Sequence, residues 1–567
     1  MRDLSDLERP FGWYEAGLPA GERKKRGHFS TPPGLVEQIL HACGYTPAAD
    51  LSRLRVLDPA CGSGNFLAGA ARSLAAFGVR AGLSQRTSAT LVSRNLWGCD
   101  PDPIACFLAE MQVRTVLAEQ GMARKHLSRG LHIHQADGLA LPWTPCVDLL
   151  LANPPYLAAK NSDLSGYQSV RRSGQADSYL LFLRLAFQAV RPGGWIGLVL
   201  PDPVLARANA ARERARLLEE YTLHHLWHLA GVFTAQVGAV VIVAQKSPPQ
   251  RLHQITWIRD RWRAREGTPR LILQTNKEQH RQQATSGTSP AHGTIPQALF
   301  SRQPASEFCY LLSQPAGRTI EQLHLHLHSQ SETERRLAPL RDFVTIRRGE
   351  ELGRGSPHLR QHQGPTASEQ HAQPGVGDWH PVLRGGVDIR PYREPETQWR
   401  IAHTAITKPL ERYLAPKLLV VKSTNRLQAA LDLKGHAVLQ TLYLLHSRTQ
   451  DQDDLYFFLA LLNSRLLQEY VALLHTAYKW VQPQIEQHVL ASLPVPLVEP
   501  EQRQAVIEGA KDLVRACSEG NPVVEWNQEI TSMYEEQERA VSALYAAVLP
   551  DECFLRYDIY DKGVYYG

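Results

Sequence analysis

The sequence predicts an α/β protein: a mostly parallel seven-stranded sheet flanked by helices, then an α+β region and a helical tail. Three observations carry this. Between about residues 20 and 248, apolar strand-like runs alternate with helical patterns. A glycine-rich turn closes the first of those runs. After residue 380, short strand-like runs separated by turns give way to apolar helical patterns.

Taken in order, the runs of strand character are Leu54–Leu57, Leu96–Cys99, Leu131–His134, Val147–Ala152, Trp195–Leu200, His225–Leu229 and Val237–Ala244. Helical periodicity falls between them over Asn65–Phe77, Leu83–Ser93, Pro103–Leu117 and Tyr179–Val190. Two polar stretches without periodicity, Asn276–Gln297 and Arg354–Asp378, read as long loops or linkers. One long apolar helix is expected near Asp454–Leu474, and a helical pattern runs from Glu501 to about Val548. There is no internal repeat.

Composition narrows the function classes. Of 567 residues, 43% are apolar and 21% charged, which excludes a disordered polyelectrolyte. No apolar run is long enough to suggest a membrane span, and the start MRDLSDLERPF lacks the apolar core of a secretory signal. The eight cysteines include no CxxC pair, so they read as reduced thiols in a cytoplasmic protein, with neither disulfides nor a zinc site. A net charge of +6 is compatible with nucleic acid.

The chemistry begins at LRVLDPACGSGNFLAGA. A strand ends at Asp58, a turn carries Gly62 and Gly64, and a helix starts at Asn65. Such glycines let backbone approach a nucleoside-type ligand, although the same turns also serve tight packing. An acidic residue closing the next strand holds a ribose in dinucleotide folds. Asp100 in LWGCDPDP is that residue here, with Asp102 as its rival. Asp137 follows the third strand. DLLLANPPY then places Asn153, Pro154, Pro155 and Tyr156 at the carboxyl end of the fourth, where open α/β sheets bind ligands. Prolines have no N–H and leave carbonyls to accept. An asparagine oxygen beside such a carbonyl suits an NH2 group, and Tyr156 offers a ring to a planar base.

These motifs, in this order, resemble the amino-type DNA methyltransferases that use S-adenosylmethionine. DPACGSGNFL resembles their first cofactor motif and NPPY their catalytic motif. GHFSTPP (Gly27–Pro33), lying ahead of the glycine turn, resembles the additional cofactor motif of the gamma group, to which the TaqI-type N6-adenine enzymes belong. RPGGWIGLVLPD and GVFTAQVGAVVIVAQK continue the match.

The resemblance implies a Rossmann-like, S-adenosylmethionine-dependent catalytic domain followed by an α+β target-recognition domain. It implies cofactor contacts from Phe29, Thr31, Pro32, Asp58, Ala60, Gly62 and Gly64, with Asp100 on the ribose hydroxyls and Asp137 on the cofactor's adenine. Asn153, Pro154 and Pro155 would present acceptors to the target amine, and Tyr156 and Phe233 would stack on the flipped base. Phe187 or Trp227 would replace Phe233 under a shifted register. No metal is implied.

Outside that core, HPVLRGGVDIRPYR, LLNSRLLQEY and ASLPVPLVEP resemble pieces of target-recognition domains. The expected organisation is an N-terminal extension (1–26), a catalytic domain (27–248), a basic connector (249–340), a target-recognition domain (341–499) and a helical C-terminal region (500–567). From Arg251 to Arg281 there are eight Lys/Arg against three Asp/Glu, with Trp257 and Trp262 interleaved; this is either a DNA-tracking surface or a solvated edge strand. The loop Ala158–Asp177, carrying Lys160, Arg171 and Arg172, either closes over the flipped nucleotide or is an ordinary loop. The alternation LHLHLH (Leu323–His328) reads as structure rather than a metal site. Double-stranded DNA is the expected partner, in a restriction-modification or phage-defence system that leaves room for a separate nuclease. The alternatives are methylation of RNA adenine or of protein glutamine, and a catalytically silent DNA-binding specificity subunit.

Overall fold

Nine strands form the central sheet. β1 (Val56–Asp58), β2 (Leu96–Asp100), β3 (His132–Gln135), β4 (Val147–Ala152), β5 (Val190–Pro201), β6 (Thr222–Ala230), β7 (Ala239–Gln245), β8 (Gln254–Arg261) and β9 (Ala291–Pro296) lie in the order β3-β2-β1-β4-β5-β7-β6-β8-β9. This computed structural model describes residues 29–122, 130–157, 177–233, 238–262, 291–329, 335–353, 355–361, 379–424, 426–475, 484–519 and 528–549.

The pairs β3–β2, β2–β1, β1–β4 and β4–β5 are parallel, and β7 runs antiparallel to both neighbours. Every residue of β1 and of β4 is buried, as expected of parallel strands covered on both faces. Helices Pro33–Ala42, Asn65–Arg80, Gln85–Asn95, Pro103–Glu119 and Ser178–Ala189 supply the covering layers.

The first seven strands are those expected from the sequence. The count of seven is corrected to nine by β8, which pairs parallel to β6, and by β9, which pairs antiparallel to β8. Both lie in the stretch read as a basic connector. Because β8 is paired on both sides, Trp257 is fully buried rather than offered to nucleic acid, while Trp262 is partly covered. Residues 263–290 lie outside the described residues.

Contacts divide the chain into two compact units, 1–310 and 311–567. In the second, Val344–Arg348, Leu442–Ser447, Lys417–Val421 and Ala429–Asp432 form an antiparallel sheet in that order. Leu359–Gln361, Trp399–Ala402, Trp379–Leu383 and Ala437–Val438 form another, closed by a parallel pairing. Two long helices, Pro500–Glu519 and Gln528–Val548, account for the helical tail.

The single apolar helix expected near Asp454–Leu474 is instead two, Gln452–Asn463 and Arg465–Leu474, bent by 56°. Ser464 causes the break: its Oγ accepts from Leu467 N as a new N-cap. Asn463 beside it pairs with a strand, its Oδ1 accepting from Ala429 N at 2.9 Å and its Nδ2 donating to Ala429 O at 3.0 Å. Among the described residues no single helix is long and apolar enough to cross a membrane. The histidine alternation lies on helix Gly317–Ser329, where His324 Nδ1 meets Tyr470 Oη at 2.6 Å. Among the described residues no cluster of His, Cys, Asp and Glu could hold a metal.

Candidate active site

The carboxyl ends of β3, β2, β1 and β4 open onto a cavity of about 630 Å³. Asp58 closes β1 and Asp100 closes β2; Asp137 follows β3 and Asn153 follows β4, and all four line its wall. Four strands running the same way bring these residues together from 95 positions of sequence, as in other open α/β sheets.

Each carboxylate is pinned by backbone. Asp58 Oδ1 accepts from Ala60 N at 3.2 Å. Asp100 Oδ2 accepts from Gly62 N at 3.0 Å, and its Oδ1 accepts from Asp102 N at 2.9 Å. Asp137 Oδ1 accepts from Leu139 N at 2.9 Å. Both Asp100 and Asp102 line the cavity: Asp102 accepts from Ile104 N as the N-cap of helix Pro103–Glu119, whereas Asp100 is buried at the strand end. Burial pushes the Asp58 carboxyl up to about 8; the Ala60 N–H lowers it and the neighbouring Asp100 raises it.

The two glycines of the turn have different jobs. Gly62 takes φ +51° on the cavity wall, and a Cβ there would meet nothing within 4 Å. Gly64 takes φ +94°, and its Cβ would come within 2.7 Å of the Ala109 backbone, so it serves close helix packing. Gly64 is not on the cavity wall. Neither is Pro32, whose carbonyl accepts from Leu35 N and Val36 N at the start of helix Pro33–Ala42.

Phe29 and Thr31 come to the same cavity from upstream of the first strand. Asn65, the first residue of its helix, donates through Nδ2 to Ser30 Oγ at 2.8 Å and to Thr31 O at 2.7 Å. Gln112 Nε2 in turn donates to Asn65 Oδ1 at 2.9 Å. Thr31 Oγ1 is buried without a hydrogen-bond partner.

The NPPY segment is held by two clamps. Asn153 Nδ2 donates to Phe29 O at 2.5 Å, which fixes the amide with its oxygen as the remaining functional atom. That Oδ1 is buried and accepts from nothing in the structure. Ser178 Oγ donates to Pro155 O and accepts from Leu157 N at 2.9 Å. Pro155 lines the cavity, and Pro154 is buried. Ser178, Asn65 and Gln112 were not singled out from the sequence; NSDLSGYQSVRRSGQADSY gives no periodic signal that Ser178 would return to the motif. The loop read as Ala158–Asp177 lies outside the described residues up to residue 176.

Three rings adjoin Asn153. Phe29 lies 5.8 Å from Tyr156 and 5.3 Å from Phe233, and Tyr156 meets Phe233 edge-on at 6.1 Å and 75°. Phe187 instead packs on Tyr221 at 5.7 Å under Arg216, and Trp227 lies against His225. The structure therefore groups Phe233, and neither alternative, with Tyr156. Tyr156 Oη donates to Val199 O at 3.3 Å, and burial holds its phenol well above the ordinary value, helped by Asp202. It is therefore a neutral phenol.

Comparison with known proteins agrees with this architecture. Residues 14–285 match the N-6 DNA methylase family, and residues 380–495 match the TaqI-like C-terminal specificity domain. The chain is 27% identical over 248 residues to the Type II methyltransferase M.XhoI of Xanthomonas vasicola, covering 40% of this chain and 44% of that protein. With the Type II methyltransferase M.VspI of Vibrio sp. (strain 343) it shares 26% over 205 residues, covering 35% and 41%. The matched regions thus span less than half of these curated relatives. Among solved structures, the type IIL restriction-modification enzyme MmeI in complex with DNA shares the fold at TM-score 0.59 and 12% identity, over 94% of this chain and 78% of that one. A DrdV–DNA complex does so at TM-score 0.52 and 12% identity, over 94% and 63%. Over those two stretches the chain thus matches an N-6 DNA methylase domain followed by a TaqI-like C-terminal specificity domain.

Proposed function

We propose that the chain is a DNA methyltransferase of the restriction-modification type that methylates N6 of an adenine swung out of duplex DNA. The observation that carries this reading is the Asn153 amide. Its NH2 end donates to Phe29 O, leaving a buried oxygen without a hydrogen-bond partner that suits an amine donor. An unsatisfied buried acceptor costs about 1–3 kcal/mol, so a ligand that donates to it gains that back.

The cavity fits S-adenosylmethionine. Asp100 would take the ribose hydroxyls and Asp137 the amino group of the cofactor's adenine. Ile104, half-exposed on the wall, and Leu139 would flank that ring. Asp58, the open side of Gly62 and the orphaned Thr31 Oγ1 would follow the methionine half. When bound, the cofactor supplies an electrophilic sulfonium methyl.

The chain's own residues do the rest. Flipping a base costs a few kcal/mol, and stacking returns roughly 1–3 kcal/mol per base. Two stacked contacts of about 3.5 Å need roughly 7 Å between parallel rings. Tyr156 and Phe233 stand closer than that and edge-on, so Phe233 would rotate outward to stack on the second face of a base that arrives on Tyr156. Asn153 Oδ1, with the Pro154 carbonyl, then accepts from the amino hydrogens, which favours a pyramidal nitrogen with its lone pair available for in-line attack. No side chain need act as a strong base, and positioning supplies most of the rate.

The pairing of this site with a TaqI-like specificity domain favours DNA over RNA or a protein glutamine, because a pocket for a single flipped base cannot read sequence. The test is expression in a host without adenine methylation, followed by single-molecule sequencing of the DNA. The expected result is N6-methyladenine at one recurring motif, absent with Asn153→Ala. That variant should lose at least roughly 10²–10³ in turnover, the scale for one aimed polar contact, with cofactor affinity retained. Near-normal turnover of Asn153→Ala would sink the assignment. Cofactor binding with no transfer to any DNA would restore the silent specificity subunit.

A further inference from the structure

The second unit carries a basic sheet face with no paired carboxylate among the described residues. In the sheet of Leu359–Gln361, Trp399–Ala402 and Trp379–Leu383, Arg360 and Arg400 are direct cross-strand partners. Ile401, between Arg400 and Ala402, is fully buried in the core below, so by the two-residue alternation of a strand Arg400 and Ala402 occupy the opposite face. The same register puts Arg360 beside Arg400 and Trp379 beside Ala402.

Like charges directly opposite one another destabilise a sheet, so such a pair in an otherwise well-packed unit calls for a counter-charge. The ion pairs of this unit join other residues, Lys434 with Glu394 and Lys417 with Asp432 among them. Among the described residues no carboxylate pairs with Arg360 or Arg400. Arg360 is also pre-oriented: its guanidinium reaches across the small Ala402 to lie 4.1 Å over the Trp379 ring. Stacking occupies the flat face of a guanidinium and leaves its in-plane N–H groups to fork an anion, which lowers the entropy lost on binding.

We propose that this face, Arg360 and Arg400 with Trp379 beneath, is a contact surface for the phosphodiester backbone of duplex DNA. The charge complementarity is to a repeating anion rather than to one base. A fork of donors with no acceptor among them suits phosphate oxygens. The proposal rests on the DNA-methylation reading and adds to it where the specificity unit meets the backbone. It is separate from the Arg251–Arg281 stretch, of which Trp257 is in the core and residues 263–281 lie outside the described residues.

The test is equilibrium binding of the full chain to duplex DNA across a series of salt concentrations. Each phosphate contact contributes about 0.9 to the slope of log affinity against log salt, so Arg360→Gln with Arg400→Gln should flatten the slope by about 1.8. Affinity should fall by the same factor for every duplex, because phosphate contacts carry no sequence information. The pair Arg360→Lys with Arg400→Lys should restore the slope. Cofactor binding in the first unit and thermal unfolding serve as controls for folding. An unchanged slope in the glutamine variant, a lysine pair that fails to restore it, or a loss confined to one DNA sequence would each overturn the proposal while leaving the methyltransferase reading intact. Absence of salt-dependent DNA binding by the unaltered chain would overturn both.

Discussion

Two polar groupings, one in each unit, are completed in different ways. In the first, two atoms of cavity-lining residues, Asn153 Oδ1 and Thr31 Oγ1, are buried with no partner. In the second, the densest polar cluster is closed on itself. Asp432, fully buried, accepts through Oδ1 from Lys434 N, Gly435 N and His436 Nδ1, and through Oδ2 from His436 N and Lys417 Nζ. Glu350 likewise takes Thr407 Oγ1, Lys408 N and Tyr413 Oη. A buried polar network fully satisfied from within is scaffold, and one left with an open acceptor on a cavity is a site.

The largest expected effect tests that distinction directly. Asp432→Ala strands the Lys417 ammonium, which is itself fully buried, and should cost about 3–5 kcal/mol of unfolding free energy. Asn153→Ala removes one hydrogen bond but also one orphaned acceptor, so unfolding should change by no more than about 1 kcal/mol despite the lost turnover. Denaturant titration of both variants decides the matter; equal losses would erase the distinction. Burial works to raise the Asp432 carboxyl, but His436 and Lys417 together hold it below its ordinary value. Its contribution is therefore present at neutral pH and is lost as pH falls through the acid range.

A second, smaller contrast lies within the first unit. Phe233→Ala should weaken capture of a flipped base by about 1–3 kcal/mol, read as reduced fluorescence of 2-aminopurine at the target position. Phe187→Ala should lower thermal stability instead, because Phe187 is core, packed on Tyr221 under Arg216. Should the two variants exchange phenotypes, the ring opposite Tyr156 would be misassigned.

These contrasts also explain what could be seen in the sequence. The first seven strands were legible because buried parallel strands leave short apolar runs bounded by turns and helical periods. β8 was legible only as a solvated edge strand, the alternative to a DNA-tracking surface: ITWIRDR mixes charges into the run, and its pairing with both β6 and β9 buries Trp257. β9, AHGTIP, lies at the end of a polar stretch with no alternation of its own. The break at Ser464 was hidden by apolar residues on both sides, since a serine and an asparagine inside such a run look tolerated until their hydrogen bonds are known. At the site, the motif residues could be named from spacing, but the direction of the Asn153 amide could not. A carbonyl 124 residues upstream sets it. The Lys417–Asp432–His436 cluster was invisible for the same reason, its members lying on a strand, its neighbour and the turn beyond.

The smallest effect concerns the cavity carboxylate at the end of β1. Asp58 is held up to about 8, chiefly by burial, so at neutral pH it is largely protonated. The sign follows from comparing states. Unfolded, an aspartate titrates near 3.9, so between about pH 4 and 8 the folded chain binds the extra proton and Asp58 makes folding less favourable as pH rises. Binding a cationic ligand beside it favours the carboxylate instead, so cofactor binding releases a proton below pH 8. Affinity for S-adenosylmethionine should therefore rise between pH 6 and 7.5, by at most about tenfold per unit. In Asp58→Asn that rise should vanish, with weaker binding throughout and with unfolding stability that no longer declines over the same range. Calorimetry in buffers of different ionisation enthalpy counts the released proton. A wild-type affinity that is flat across this window would mean that Asp58 faces the backbone of its own turn rather than the charged half of the cofactor.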